Sequence, residues 1–410
     1  MSLSSSPAQA ALSGLRVLDL TRVLAGPWCA QLLGDLGADV IKVESPQSGD
    51  DTRGWGPPFL GGESAYFLGC NRNKRGICID FSSAEGKALL AGLLKRADVV
   101  LDNFKTGTMT RWGFDDAWFE AHAPQLVRCS ITGYGEEGPS ADLPGYDFIL
   151  QAESGLMSLC GPVGGEPTKY GVAVVDLATG MMAANAVQAA LIARYRSGRG
   201  QKVEVCLFDT AIALLANVGN SHLATGNDAR RFGNGHPTIV PYTTFACQDA
   251  SISIAVGNDG QFAKLAQLLG QAVWSDDARF RRNADRVVHR ETIESLIGEL
   301  TRLWRSTELI AALRLAGIPC GRVNTVAQAL ADPHTLARGM VMKLSHATAG
   351  QFSTLGTPLR MKKQPETARP PPRLGEHTVE VLMQELGLSI AQISDLLERG
   401  IVAAHLEINA

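Results

Sequence analysis

The chain lacks the short signatures by which several enzyme classes are recognised. Its first turn after a strand reads L-A-G-P-W-C (24–29), without G-x-G-x-x-G, which argues against a dinucleotide site of the usual kind. It has no G-x-x-x-x-G-K-[ST], no G-x-S-x-G and no H-E-x-x-H. ATP hydrolysis, serine esterase and zinc protease chemistry thereby lose their main support. The eight cysteines (29, 70, 78, 129, 160, 206, 247, 320) form no C-x-x-C pair. They read as reduced core residues, not as a disulfide or zinc framework. The eight histidines are dispersed, none at metal-ligand spacing, so no metal site is expected. A net charge of −3 offers no global field for nucleic acid or an anionic membrane surface. No window approaches the roughly 18 apolar residues of a membrane span, and the first dozen residues carry no leader signature. A cytoplasmic chain with no nucleic-acid or membrane partner is the expectation.

What the sequence does have is the material of an α/β protein of two or so domains: 410 residues, 45% of them hydrophobic, with 43 glycines. A strand candidate at 15–20, a turn at Ala25-Gly26-Pro27, a helix at 28–36 and a strand at 39–44 make a βαβ unit. Such a unit implies a parallel sheet. The pattern continues with strands at 76–80, 99–101 and 126–131 and a helix at 83–96. A distinct region begins near Asp228 with the glycine-rich loop FGNGHP (232–237). Short strands at 242–246 and 252–256 follow, then amphipathic helices near 259–270, 291–303 and 307–315. PETARPPPRL (365–374) reads as an extended surface segment, and helices at 378–386 and 389–398 follow it.

The stretch VVDLATG (174–180) carries the most chemistry. GVAVV (171–175) before it reads as a buried strand, and MMAANAVQAALIARY (181–195) after it as a helix. Asp176 between them has two readings. It is an N-cap, or it is a carboxylate held at a cleft mouth beside a helix N-terminus. The neighbouring motifs favour the second.

Those motifs resemble one family. LDLTRVLAGPWCAQLLGDLGADVIKVE (18–44), NRNKRGICID (71–80), DNFKTGTMTRWGF (102–114), SITGYGEEGP (130–139), GYDF (145–148) and VVDLATG are similar, in order, to the class III CoA-transferases of the CaiB/BaiF type. DDTRGWGPPF (50–59), GHPTIVPY (235–242), VMKLSHATAG (341–350) and RPPPRLGEHT (369–378) resemble the branch of that family that uses succinyl-CoA and glutarate.

The resemblance implies an α/β fold with a Rossmann-like large CoA-binding domain and a smaller α/β domain in an interlocked, ring-like homodimer. The large domain maps to 1–215, completed by 336–410, and the small domain to 228–335. It implies no permanently bound cofactor, coenzyme A entering as substrate. Asp176 falls on the family's catalytic aspartate, which takes CoA from a donor thioester through covalent aspartyl intermediates and passes it to a free dicarboxylate. Leu24, Ala25, Ile79, Asp80, Asn103, Phe104, Lys105 and Arg111 match stretches lining CoA, and Tyr146 and Asp147 match positions lining the active site. Gly233, Gly235 and His236 match a mobile loop that covers the intermediate. Where some relatives carry an Arg after Glu44, this chain has Ser45, so Arg72, Lys74 or Arg75 are expected to supply that contact. Arg22 and Arg53 are the candidates for the acceptor's second carboxylate, since Arg offers a planar fork. The rival α-methylacyl-CoA racemases place a His where this chain has Tyr146, and a phenol is a poor base at neutral pH. A non-catalytic CoA-binding protein is the other alternative.

Overall fold

The computed structural model describes residues 10–362 and 367–405; Pro365 and Glu366 of the expected extended segment lie outside them. The fold is mixed α/β. Its main sheet contains six parallel strands: β1 (Arg16–Asp19), β2 (Asp39–Glu44), β3 (Lys74–Ile79), β4 (Val99–Asp102), β5 (Val127–Thr132) and β6 (Lys202–Cys206). They lie in the order β3-β2-β1-β4-β5-β6, and the short strand Val402–Ala403 runs antiparallel on the outer edge of β3. This is the order of a doubly wound sheet. Its switch point falls between β1 and β4, where chain connections leave in opposite directions and open a crevice beyond the strand ends.

Alternation along the strands divides the core into two layers, because successive side chains point to opposite faces. Val17, Val40, Val99, Leu101 and Cys129 pack with helices α1 (Ala25–Asp35) and α3 (Val174–Ser197) on one face. Leu18, Ile41, Val43, Ile77 and Val100 pack on the other with helix Ala84–Leu94 and with Val381, Leu382, Ile393 and Leu396. The register pairs Val17 with Val40 and Val99, and Leu18 with Ile41 and Val100, so each layer is continuous across three strands. Helix α2 (Asp147–Glu153) precedes α3. At 24 residues α3 is long and apolar enough to cross a membrane, yet Val175, Ala183, Ala184, Val187 and Ala190 are buried in the first layer.

The chain forms two compact units. The second comprises Met157–Lys169 and Ala224–Leu336, and the rest of the described chain makes the first. The expectation had put 157–169 with the large unit; those residues lie instead in the second. The second unit holds a three-stranded antiparallel sheet, with Ser251–Ala255 between Tyr242–Ala246 and Cys320–Arg322. Helices Asp259–Leu268, Arg290–Thr301 and Ser306–Leu315 close its core around Phe262, Phe280, Ile293, Ile297 and Leu309.

The expected strand 171–175 does not form. Val174 and Val175 are already helical, in the first turn of α3, and the cap position is Ala173. Gly171 and Val172 are exposed, so the run has no second face to bury. Asp176 is accordingly a first-turn residue of α3 and not its N-cap.

Candidate active site

The turn after β1 opens the site. Leu20 still pairs with β4 through Leu101, and Leu24 begins α1. Between them the backbone of Val23 adopts φ 72°, the left-handed region that a β-branched residue rarely enters. Gly26 is required beside it, because a Cβ there would lie 2.3 Å from the Thr21 Cβ. The loop after β4 supplies Asn103, whose side-chain oxygen accepts from the Arg22 N–H (3.0 Å) and whose amide donates to the Arg22 carbonyl (2.8 Å). The two loops flanking the switch point are thus joined.

Helix α3 delivers the carboxylate. Its first turn has no cap from its own N-cap residue; Asp147 caps it from α2 instead. Oδ1 of Asp147 accepts from the amides of Val175 (2.8 Å) and Asp176 (3.2 Å), while Oδ2 accepts from Gln151 Nε2 (2.6 Å). The helix then crosses α1 closely enough that a Cβ at Gly180 would sit 2.5 Å from the Ala25 carbonyl. The turn of β1 and the Asp176 carboxylate are therefore parts of one packed body. Burial, and then the negative charge of Asp147, pushes the Asp176 carboxyl up to about 7.

A cavity of about 360 Å³ lies at the switch point. Asp176, Leu24, Ala25, Asn103, Phe104, Lys105, Arg111, Tyr146 and Arg22 all line it, together with Val23 and Ile131. Nine of the expected residues are thus brought to one place, all of them in the first unit. Arg22 is exposed and pairs with Asp51 at 3.2 Å; Arg111 is turned toward Thr108 Oγ1 (2.7 Å).

Other expected residues lie elsewhere. Ile79 is sealed in the second core layer, and Asp80 accepts from Ser82 at the end of β3. Asp147 sits behind Asp176, where its oxygens are occupied by helix amides and Gln151. Gly233, Gly235 and His236 belong to the second unit, where Arg290 Nη2 donates to the His236 carbonyl at 2.7 Å.

The cations expected to replace an Arg at Ser45 are buried in ion pairs. Arg72 forks onto Asp35, Lys74 meets Asp19 at 2.9 Å, and Arg75 binds Asp39 and Glu385. Arg53, expected to hold an acceptor carboxylate, is bidentate to Glu44 (2.8 and 2.7 Å) and donates to the Pro372 carbonyl. Its guanidinium also covers the Phe67 ring at 3.7 Å, so it is committed to the fold.

Sequence reasoning missed Tyr66, on helix Ala65–Cys70 and edge-on to Trp55 at 5.2 Å. Its phenol is raised above its usual range by burial first, and then by neighbours that include Asp176 and Asp147. It also missed Lys42 and Asp50, both fully buried beneath the β1 turn. A lysine inside the apolar run DVIKVE was the available signal.

Known proteins are similar to this chain along most of its length. The sequence pattern of CoA-transferase family III matches residues 12–378. Succinate–glutarate CoA-transferase of Agrobacterium fabrum is 43% identical over 380 residues, 91% of this chain and 95% of that protein. Succinyl-CoA:glutarate CoA-transferase of Homo sapiens is 38% identical over 395 residues, 96% of this chain and 90% of that one. The crystal structure of a CaiB/BaiF family protein from Brucella suis superposes with a TM-score of 0.83 at 44% identity, covering 92% of this chain and 100% of that one.

Proposed function

The chain belongs to CoA-transferase family III and is an enzyme of that kind; from that premise we propose that it moves CoA from succinyl-CoA to glutarate with Asp176 as nucleophile. The observation that carries the proposal is the placement of Asp176 on the first turn of α3, in the switch-point cavity, opposite the Leu24–Ala25 turn. The relatives named for succinate and glutarate support the choice of donor and acceptor.

In the first step a carboxylate oxygen of Asp176 attacks the succinyl carbonyl. The C–S bond breaks, CoA leaves as thiolate with the electron pair, and a mixed anhydride remains. The thiolate then attacks Cγ of Asp176, succinate departs as carboxylate, and an aspartyl–CoA thioester is left. Glutarate attacks that thioester and expels the thiolate, which finally attacks the glutaryl carbonyl and frees Asp176. Each stage exchanges one C–S bond for one C–O bond or the reverse. Over the four stages one thioester and one carboxylate are consumed and one of each is formed, so no ATP and no net proton are consumed. Splitting one displacement into four is the gain of covalent catalysis.

Only the ionised form of Asp176 reacts, and its raised pKa makes the carboxylate a stronger nucleophile once it has formed. Lys105 and Arg111, on the rim, suit the phosphates of CoA, to which charge-assisted bonds are strong. Arg22 is the cation left for the acceptor's far carboxylate, its Asp51 partner being exposed and easily displaced. The working form is an interlocked cytoplasmic homodimer with a Rossmann-like large domain. Met181, Met182, Ile192 and Tyr195, left exposed along α3, support an interface there.

The test is a transfer assay with succinyl-CoA against a panel of carboxylic acids, read by mass spectrometry, with Asp176→Ala alongside. Rapid formation of glutaryl-CoA by the wild type alone is expected. Exchange of the α-proton of a 2-methylacyl-CoA without transfer would replace the proposal with a racemase.

A further inference from the structure

In three consecutive residues of the β1 turn, five of the six backbone polar groups are held by side chains. The Thr21 N–H donates to Asp19 Oδ1 (3.0 Å), and its carbonyl accepts from Lys42 Nζ (2.8 Å). Both groups of Arg22 are taken by Asn103. The Val23 N–H donates to Asp50 Oδ1 (3.2 Å), and its carbonyl faces the Cys70 thiol at 3.9 Å. Lys42 and Asp50 also meet each other at 2.9 Å, with neither side chain exposed.

A buried ion pair is not in itself a stabilising choice, since desolvation offsets the attraction. Here the valences left over after pairing go to the turn. One proton of Lys42 goes to Thr21; one oxygen of Asp50 goes to Val23, which it shares with the Thr52 amide and hydroxyl. The turn needs the help, because Val23 stands at φ 72° where glycine is the ordinary occupant. Such strain persists only where the surroundings over-determine it, and it clusters at ligand clamps. Val23, Leu24 and Ala25 all line the cavity with Asp176.

We propose that the Lys42–Asp50 pair is a positioning device for the transfer reaction, holding Thr21–Val23 in the strained turn from which Leu24 and Ala25 face Asp176. The proposal rests on the reading of this cavity as the acyl-CoA site.

Three proteins test it: wild type, Lys42→Met/Asp50→Ala, and the same pair with Val23→Gly added. Removing both charges together leaves no unpaired ion and so avoids the larger cost of a lone buried charge. Amide exchange of residues 20–26 is read by mass spectrometry, and kcat and KM are measured for succinyl-CoA. The double variant should exchange about tenfold faster in that segment and lose about 10- to 100-fold in kcat, the worth of one strained residue. KM for succinyl-CoA should move far less. Val23→Gly should restore most of the kcat, because glycine reaches φ 72° without strain. A purely structural pair would give no such rescue. Wild-type exchange in the double variant, or no rescue by glycine, overturns the proposal. If the double variant fails to fold, Lys42→Met/Asp50→Asn takes its place: it leaves no unpaired ion and keeps an acceptor for Val23 and Thr52, but loses the ion pair and the Thr21 bond. It should lose about three- to tenfold in kcat, and wild-type exchange and kcat in it would equally overturn the proposal. Exchange is read whether or not glutarate accepts CoA, so a wild type that transfers nothing refutes the functional reading and leaves the exchange result to judge the turn.

Discussion

Replacing Asp176 by Asn should stabilise the protein, and by an amount that depends on pH. The folded chain holds the Asp176 proton up to about pH 7 because the side chain is buried and Asp147 lies behind it. In the unfolded chain the same carboxyl titrates near 3.8. Between these values the folded state binds more protons than the unfolded one, so stability falls as pH rises. The loss begins near pH 4 and is complete above pH 7. A separation of about three units amounts to about 4 kcal/mol at pH 8 and about 2 kcal/mol at pH 5. Asn carries no charge at either pH and escapes the penalty. With an unfolding entropy of about 2.1 cal/mol/K for each of the 410 residues, Tm of Asp176→Asn should exceed wild type by about 5 °C at pH 8. At pH 5 the excess should shrink to about 2 °C. Differential scanning calorimetry of both proteins across pH 5–8 measures this directly. The same titration should appear as an acid limb in the wild-type rate, with transfer rising through pH 7. A difference in Tm that does not change with pH would refute the reasoning, since it would mean Asp176 titrates alike in both states.

Three further outcomes follow from the same geometry. Asp147→Asn keeps an oxygen for the Val175 and Asp176 amides but removes the like charge, so the acid limb of transfer should move about one pH unit lower in a pH–rate profile. Arg53→Met should cost about 3–5 kcal/mol in urea unfolding, because Glu44 is left buried and unpaired. Its KM for glutarate should stay within about twofold of wild type, while Arg22→Ala should raise that KM about tenfold, a split that steady-state kinetics resolves.

The parallel sheet was legible because its strands are short apolar runs spaced by helices, and β1, β2 and the helix between them fall where the pattern puts them. The helices after Asp259 were legible for the same reason, each with one apolar stripe. The loops around the cavity were legible only through resemblance. What the sequence concealed was the state of its cations. Arg53, Arg72, Lys74 and Arg75 look alike in a string of letters, each a basic residue near a glycine or a strand. Their partners Asp35 and Asp19 lie 37 and 55 residues away along the chain for Arg72 and Lys74, beyond any local pattern. The valines before Asp176 misled for a related reason. They favour strand locally, but Asp147, contributed by another helix, satisfies the amides that let a helix begin there.

Gly180 has a consequence for how such an enzyme diversifies. A single missing methyl group lets α3 rest on the Ala25 carbonyl, which ties the start of α3, and Asp176 with it, to the β1 turn. Variation has to be tolerated elsewhere. The side chains of Arg22, Asp51 and Asp142 line the same cavity without taking part in that contact. On the proposed reading, substitutions at these rim positions would change which acid is accepted while leaving Asp176 and its contact with the β1 turn in place.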